Sequence, residues 1–348
     1  MKILVVRLRE IGDVVFTTPA VHALRARFPD ARLTYLVEPA AAPVLSANPH
    51  IDELLTIPRT PGIAGFVADV ALGRRLRARR FDVAIDFHGG PRASLLTWLS
   101  GAPRRIGYVV AGRAWMYTER VARPRELRRR HSVENQWDLL APLGVAPPDP
   151  TLFPVEMPAD AATAAAIHDR LTRAGVMTEH QIIVMHVSAG NPFRRWPLEH
   201  FVEVARTLAG RDGRRRVLVT SGPSERGAAA RVIAAAGTPD LGEFSLTELR
   251  ALLDRAALYI GGDSGPMHIA STTRVPIVAL YGPTLPERSA PWRDPHVAVE
   301  SIDAGALPCR PCDQRACAPG DFRCLTWIRP ATVIDAAERL LRATTDRG

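Results

Sequence analysis

Two α/β domains, each a parallel sheet wound on both faces by helices, are what this sequence predicts. Length is the first reason. A chain of 348 residues exceeds one comfortable core, since domains run at ~100–200 residues. Periodicity is the second. Short β-branched runs without clean polar alternation recur between helical patterns, as in sheets covered on both faces. The third is punctuation: "GVAPPDPTLFPVEMP" (144–158) reads as a proline-rich linker between two such series. Two doubly wound domains predict a cleft, with ligands at the carboxyl ends of strands.

In the first series, "KILVVR" (2–7) is a strand running into a turn at Gly12. A helical pattern follows over 14–28. "RLTYLVE" (32–38), "ELLTIP" (53–58) and "FDVAIDFHG" (81–89) are further strands, the last preceded by a basic helical stretch. The second series begins with a helix near 160–174 and the strand "IIVMHVSAG" (182–190). Then come a helix at 198–210, strand "RVLVTSG" (216–222), helices at 224–236 and 246–254, and strands "ALYIGG" (257–262) and "VPIVALYG" (275–282). "PATVIDAAERLLRAT" (330–344) has the spacing of an amphipathic helix.

Composition is that of an ordinary globular protein, 47% hydrophobic and 23% charged. No apolar run approaches the ~20 residues of a membrane span. The start lacks the apolar region and cleavage site of a signal peptide and reads as a first strand, which predicts a cytoplasmic protein. Net charge is +9, carried by arginine. Arginine clusters at 73–82 and 123–132. They fit either a solvated surface in an arginine-biased sequence or a surface for an anionic partner.

The stretch "GGDSGPMHIA" (261–270) follows a buried strand. Asp263 or Ser264 can cap a helix, and Pro266 suits its first turn. Capping does not account for Asp263, Gly265 and His268 together, nor for the similar "LYGPTLP" (280–286) one unit later. Two such turns predict a phosphate-type site at exposed helix amides. Asp13, at the first strand-to-helix turn, is either an N-cap or a carboxylate placed to take a proton from a hydroxyl. In "HVSAGNPFRRWP" (186–197), Arg194 and Arg195 either grip phosphate or pack on Trp196. No GxGxxG follows the first strand and no GxxxxGK[ST] occurs, which speaks against nicotinamide and P-loop chemistry.

Taken in order, "MKILVVRLREIGDVVFTTPA", "FDVAIDFHGGPRAS", "RRIGY", "HSVENQWDLLAPLG", "HVSAGNPFRRWP" and "GGDSGPMHIASTTRVPIVALYGPT" resemble glycosyltransferase family 9, the lipopolysaccharide heptosyltransferases. The resemblance covers nearly the whole chain. It implies a GT-B fold: an acceptor-binding domain over 1–158, a nucleotide-sugar-binding domain over 159–328, and a helix over 329–348 packing back on the first. It implies inverting transfer of a sugar, heptose from ADP-heptose foremost, to an anionic lipid-linked saccharide. It makes Asp13 the general base, Asp263 a holder of sugar hydroxyls, and Ser264, Gly265 and His268 part of the diphosphate motif. Ser188 matches a phosphate-contacting hydroxyl. Arg194 stands where the family usually has lysine. Glu225 and Phe244 fall near ribose and base, and Arg92 on the acceptor side. The enzyme is expected to need no cofactor for catalysis, to touch the inner membrane peripherally from the cytoplasmic face, and to bind no nucleic acid.

All four cysteines fall within "CRPCDQRACAPGDFRC" (309–324). Disulfides are rare in cytoplasmic proteins. Cys309, Cys312, Cys317 and Cys324 fit a structural tetrahedral zinc site, an iron–sulfur cluster, or four free thiols. The outside alternative is a zinc-bearing nucleic-acid-binding protein, whose affinity would fall steeply with salt. Against it, the cysteines lie far in sequence from both arginine clusters, and aromatics are only 6%. Another nucleotide sugar or acceptor within the same family is the nearer alternative.

Overall fold

The structure, a computed structural model, describes residues 1–123, 129–187 and 191–345. The chain divides into two compact units, Met1–Pro158 and Ala159–Gly348.

The first unit carries six parallel strands: β1 (Lys2–Val6), β2 (Arg32–Val37), β3 (Glu53–Thr56), β4 (Val83–Asp86), β5 (Arg104–Tyr108) and β6 (Glu119–Val121). Their order is β3-β2-β1-β4-β5-β6, so the winding reverses between β1 and β4. Loops there diverge and leave space at the strand ends. Leu4, Val6, Leu36, Phe81, Ala84 and Leu96 form one apolar layer against this sheet.

Residues 14–28 form two helices, not one: Ile11–Val15 and Thr18–Arg27. Pro19 has no N–H for the Val15 carbonyl, and the Thr18 hydroxyl donates to it instead at 2.8 Å. The Thr17 hydroxyl likewise donates to the Asp13 carbonyl at 2.8 Å.

The second unit holds β7 (Gln181–His186), β8 (Arg215–Thr220), β9 (Ala256–Gly262), β10 (Ile277–Tyr281) and β11 (Val299–Asp303), all parallel. The order β11-β10-β9-β7-β8 reverses between β7 and β9. This is the flavodoxin-like variant of double winding.

The terminal helix is Pro330–Thr345. Its apolar face packs on the second unit: Val333, Ile334, Ala337, Leu340 and Leu341 share a core with Ile183, Phe201, Ile260 and Val278. Each large apolar side chain so buried contributes about 1.5–3 kcal/mol, which commits that face to this sheet. Glu338 adds a paired contact, accepting from both terminal nitrogens of the buried Arg215 at 2.6 and 3.0 Å. Among the described residues no helix is long and apolar enough to cross a membrane.

Candidate functional site

In the first unit, chemistry gathers where β1 and β4 end, at the reversal of strand order. Asp13 sits in the short helix after β1 and pairs with Arg7. The Arg7 side chain is 11% exposed, whereas that of Asp13 is 40% exposed and open to a substrate. Arg7 also donates to the Phe87 carbonyl at 2.6 Å, tying the ends of β1 and β4 together. Asp13 is thus oriented by a buried guanidinium while its carboxylate reaches solvent.

The turn after β4 is built on Asp86. This buried carboxylate accepts from the His88 and Gly89 amides, both at 2.8 Å, and from the Tyr117 hydroxyl at 2.6 Å. Burial pushes its pKa up, against those hydrogen bonds. Gly107 permits the arrangement, because a Cβ there would run into the Tyr117 ring. His88 Nδ1 lies 3.3 Å from the Arg9 carbonyl oxygen. Burial and the Arg7 charge lower its pKa to about 4, so the ring is neutral near pH 7. Neither Arg7 nor His88 stood out in the sequence as a site residue. The signal for both was placement at strand ends, in "VVRLRE" and "DFHGG".

Arg92, expected on the acceptor side, is held by carboxylates within the first unit. It holds Asp69 through Nε and Nη2, at 2.9 and 2.8 Å, and Glu38 at 3.1 Å. A guanidinium so engaged holds Asp69 and Glu38 together.

In the second unit, the ends of β7, β9 and β10 are knitted by alternating charges. Arg194 follows β7 and donates to the Asp263 carbonyl at 3.0 Å; the same Nη1 lies 3.3 Å from Asp263 Oδ2. Its Nε donates to Gln314 Oε1 at 2.9 Å. Asp263 follows β9 and accepts from the Thr284 hydroxyl at 2.5 Å, with His268 Nε2 3.5 Å from its Oδ1. Burial alone would raise its pKa. The His268 contact, the Arg194 charge and the Thr284 hydroxyl outweigh burial and hold it below the usual carboxylate range. At 3% exposure Asp263 is a buried anion whose contacts shape the turn.

Ser264 and Gly265 are half-buried at the start of the helix Gly265–Ser271, and Ser264 Oγ donates to the Gly262 carbonyl at 3.2 Å. His268 is buried within that helix. Glu225, only 6% exposed, is paired with Arg195 at 3.2 Å and accepts from Ser224 Oγ at 2.7 Å, so it too is largely spent internally. Phe244 is half-buried, with the Arg170 guanidinium 4.2 Å from its ring centre. Ser188 lies outside the described residues.

The cysteine loop is part of this architecture. Arg310 donates to the Thr284 carbonyl at 2.9 Å, the Cys312 amide donates to Pro283, and Phe322 meets Phe193 edge-on at 5.4 Å. Gln314 accepts from both Asn191 and Arg194. All four cysteines are half-buried with free thiols. Burial and the three neighbouring cysteines push the Cys324 thiol up to about 11, against the pull of Arg310. They form no group with three sulfurs all within 4.8 Å; among the described residues the group that meets this spacing is His22, His50 and Glu156.

Two doubly wound parallel sheets in one chain are the arrangement of the GT-B fold. The chain belongs to glycosyltransferase family 9 (heptosyltransferase), whose model matches residues 70–318. It is 29% identical to lipopolysaccharide heptosyltransferase 3 of Escherichia coli over 97% of this chain and 98% of that one. A glycosyl transferase family 9 structure from Veillonella parvula matches with a TM-score of 0.85 and 27% identity, covering 98% of this chain and 97% of that chain. The E. coli ADP-heptose lipopolysaccharide heptosyltransferase II matches in fold with a TM-score of 0.79 and 20% identity, covering 99% and 100%.

Proposed function

We propose that this glycosyltransferase moves heptose from a nucleotide diphosphate, ADP-heptose foremost, to a hydroxyl of a lipopolysaccharide-core-type acceptor, with inversion. The observation that carries the reading is the Arg194–Asp263–Thr284 knot, which fixes a half-exposed serine–glycine turn beside an arginine at the β7/β9 reversal. Family membership and the activities named for its relatives support it.

In this mechanism Asp13 accepts the proton of the attacking hydroxyl, with Arg7 holding the carboxylate in place. The hydroxyl oxygen bonds to the sugar's anomeric carbon from the face opposite the leaving group. The carbon–oxygen bond to the diphosphate breaks, and its electron pair leaves on phosphate. Arg194 and the amides at Ser264 and Gly265 offset that charge. Asp263, expected to hold hydroxyls of the donor sugar, also positions Arg194 and His268. No cofactor takes part.

The finer placements follow from surface chemistry. Ile63, Phe66 and Val67 are exposed on the helix Gly62–Ala78, which also carries Arg74, Arg75 and Arg77. An apolar edge next to cations suits peripheral contact with an anionic membrane, here the inner face of the cytoplasmic membrane. Cys309, Cys312, Cys317 and Cys324 are read as ligands of one structural metal, zinc first. The C-x2-C-x4-C-x6-C spacing within one loop supports that reading. The metal's part would be to stiffen the loop that holds Arg194 through Gln314.

The test is Asp13→Asn and Asp13→Ala in a transfer assay with ADP-heptose and a lipid-linked acceptor. Loss of a general base predicts a kcat lower by ~10²–10⁴-fold with the fold intact by circular dichroism. Undiminished turnover removes the base assignment. Thermal shifts with ADP-, GDP-, UDP- and dTDP-sugars decide the donor, with ADP expected to raise Tm most.

A further inference from the structure

The cysteine loop carries one side chain that reaches the turn after β7. Gln314 lies between Cys312 and Cys317, 120 residues beyond Arg194 in the chain. Its Oε1 accepts from Arg194 Nε at 2.9 Å and from Asn191 Nδ2 at 2.7 Å. Only one orientation of the amide fits. Asn191 Oδ1 is taken by the Phe193 N–H at 3.0 Å, so Asn191 turns its NH₂ to Gln314. A guanidinium only donates, so both neighbours demand an oxygen from Gln314. The backbone at Gln314 is left-handed, with a φ of 60°. A residue with a side chain adopts that conformation at a cost, and keeps it where the surrounding contacts over-determine it.

These bonds decide how Arg194 points. Its Nε goes to Gln314, and its Nη1 to the carbonyl and the carboxylate of Asp263, at 3.0 and 3.3 Å. Among the described residues Nη2 has no protein partner, and the side chain is 30% exposed. A planar guanidinium fixed at two of its three nitrogens has the third aimed. Nη2 shares a carbon with Nη1, which is bonded to the carbonyl leading into Ser264. It therefore stands beside the Ser264–Gly265 turn. Gln314 is also neutral. It holds the cation without cancelling its charge, whereas a carboxylate there would pair with the guanidinium and compete with a phosphate.

The loop that presents Gln314 is itself anchored. Arg310, its side chain 3% exposed, donates to the Gly305 and Thr284 carbonyls, both at 2.9 Å, and pairs with Asp303 at 3.0 Å. The Cys312 amide donates to the Pro283 carbonyl at 3.2 Å. The loop thus rests on the turns after β10 and β11 and reaches across to the turn after β7.

We propose that Gln314 is a positioning residue for the donor: its amide oxygen aims the free Nη2 of Arg194 at the diphosphate and leaves the guanidinium its charge. The inference rests on the reading of Arg194 as a diphosphate contact, and adds a determinant of donor affinity outside the strand-end turns. No bond of the substrate is made or broken at Gln314, and its role does not depend on what the four thiols bind.

The experiment measures ADP binding by calorimetry, and Tm without ligand, on the full-length protein as purified. Gln314→Met keeps the shape and loses the acceptor. Gln314→Glu keeps the acceptor and adds a charge. Arg194→Ala is the reference. The Kd for ADP should rise roughly tenfold in Gln314→Met, the scale of one hydrogen bond to a charged group. Gln314→Glu should weaken ADP at least as much while its Tm holds. A merely structural brace predicts the reverse for that variant, an intact Tm with wild-type affinity. Wild-type affinity in either Gln314 variant, with Arg194→Ala weakened, overturns this inference and leaves the donor reading standing. Wild-type protein that takes up no ADP, or undiminished binding in Arg194→Ala, removes the donor reading and this inference with it. Should Gln314→Met fail to fold, Gln314→Glu alone decides.

Discussion

Replacing Asp263 by alanine removes the acceptor of the 2.5 Å Thr284 hydrogen bond and the counter-charge 3.3 Å from Arg194. Breaking a buried pair from one side costs about 3–5 kcal/mol. Arg194 is 30% exposed, so water compensates part of its loss. The buried Thr284 hydroxyl loses a charged acceptor, a contact of about 1.5–3 kcal/mol. The expected destabilisation is therefore about 3 kcal/mol, at the low end of the buried-pair range. Asp263→Asn keeps the shape and one oxygen for Thr284, so roughly half that loss is expected.

The same contacts dictate a pH signature. Asp263 is held below its normal range in the folded protein and titrates near ~3.9 when unfolded. A depressed carboxylate contributes stability above the unfolded value and loses it as pH falls through the folded one. Urea unfolding of wild type and Asp263→Asn, at pH 7 and in steps below pH 4, measures both effects. The gap between the proteins should be widest near neutrality and close in acid. A cost below about 1 kcal/mol for alanine, or identical acid profiles, refutes the view that Asp263 is the internal anion of this turn.

His186 is buried at the end of β7, and burial lowers its pKa to about 4 from an unfolded value near 6.5. The unfolded chain binds that proton first, so stability falls as pH drops from ~6.5 towards about 4, by up to roughly 3 kcal/mol; His186→Asn should flatten this limb in urea melts. Arg194→Lys keeps charge but cannot serve Gln314 and Asp263 together, so donor KM should rise about tenfold and kcat fall in steady-state kinetics. Glu338→Ala leaves buried Arg215 without its carboxylate and should cost about 3–5 kcal/mol by urea unfolding, whereas a Leu340→Ala change on the same helix should cost about 2–5 kcal/mol through packing alone.

Strand-forming runs and their turns are local facts, so β1, β2, β3, β4, β7, β8, β9 and β10 were readable from their apolar runs alone. β5, β6 and β11 were not. "RRIGY", "ERV" and "VESID" are short and rich in charge, and pair only because a longer strand beside them offers its edge. The residue types of the candidate site were legible for a similar reason. A strand ending in glycine, a carboxylate or hydroxyl, and then proline announces a turn into a helix wherever it occurs.

What a side chain does there depends on who stands opposite, and that is decided in three dimensions. Asp13 and Asp263 both follow strands, yet one is 40% exposed and the other 3%. Arg7 meets the first from one side only; Thr284, Arg194 and His268 close around the second from separate loops. Arg92 and Glu225 carry charges any sequence reader would offer to a ligand, and folding gives them to Asp69, Glu38 and Arg195. The terminal helix shows its amphipathic face in the sequence, but the sheet that takes that face is chosen by apolar area available in the fold. His22, His50 and Glu156 are 28 to 134 residues apart in the chain, so only the tertiary structure could bring their nitrogens and oxygens together.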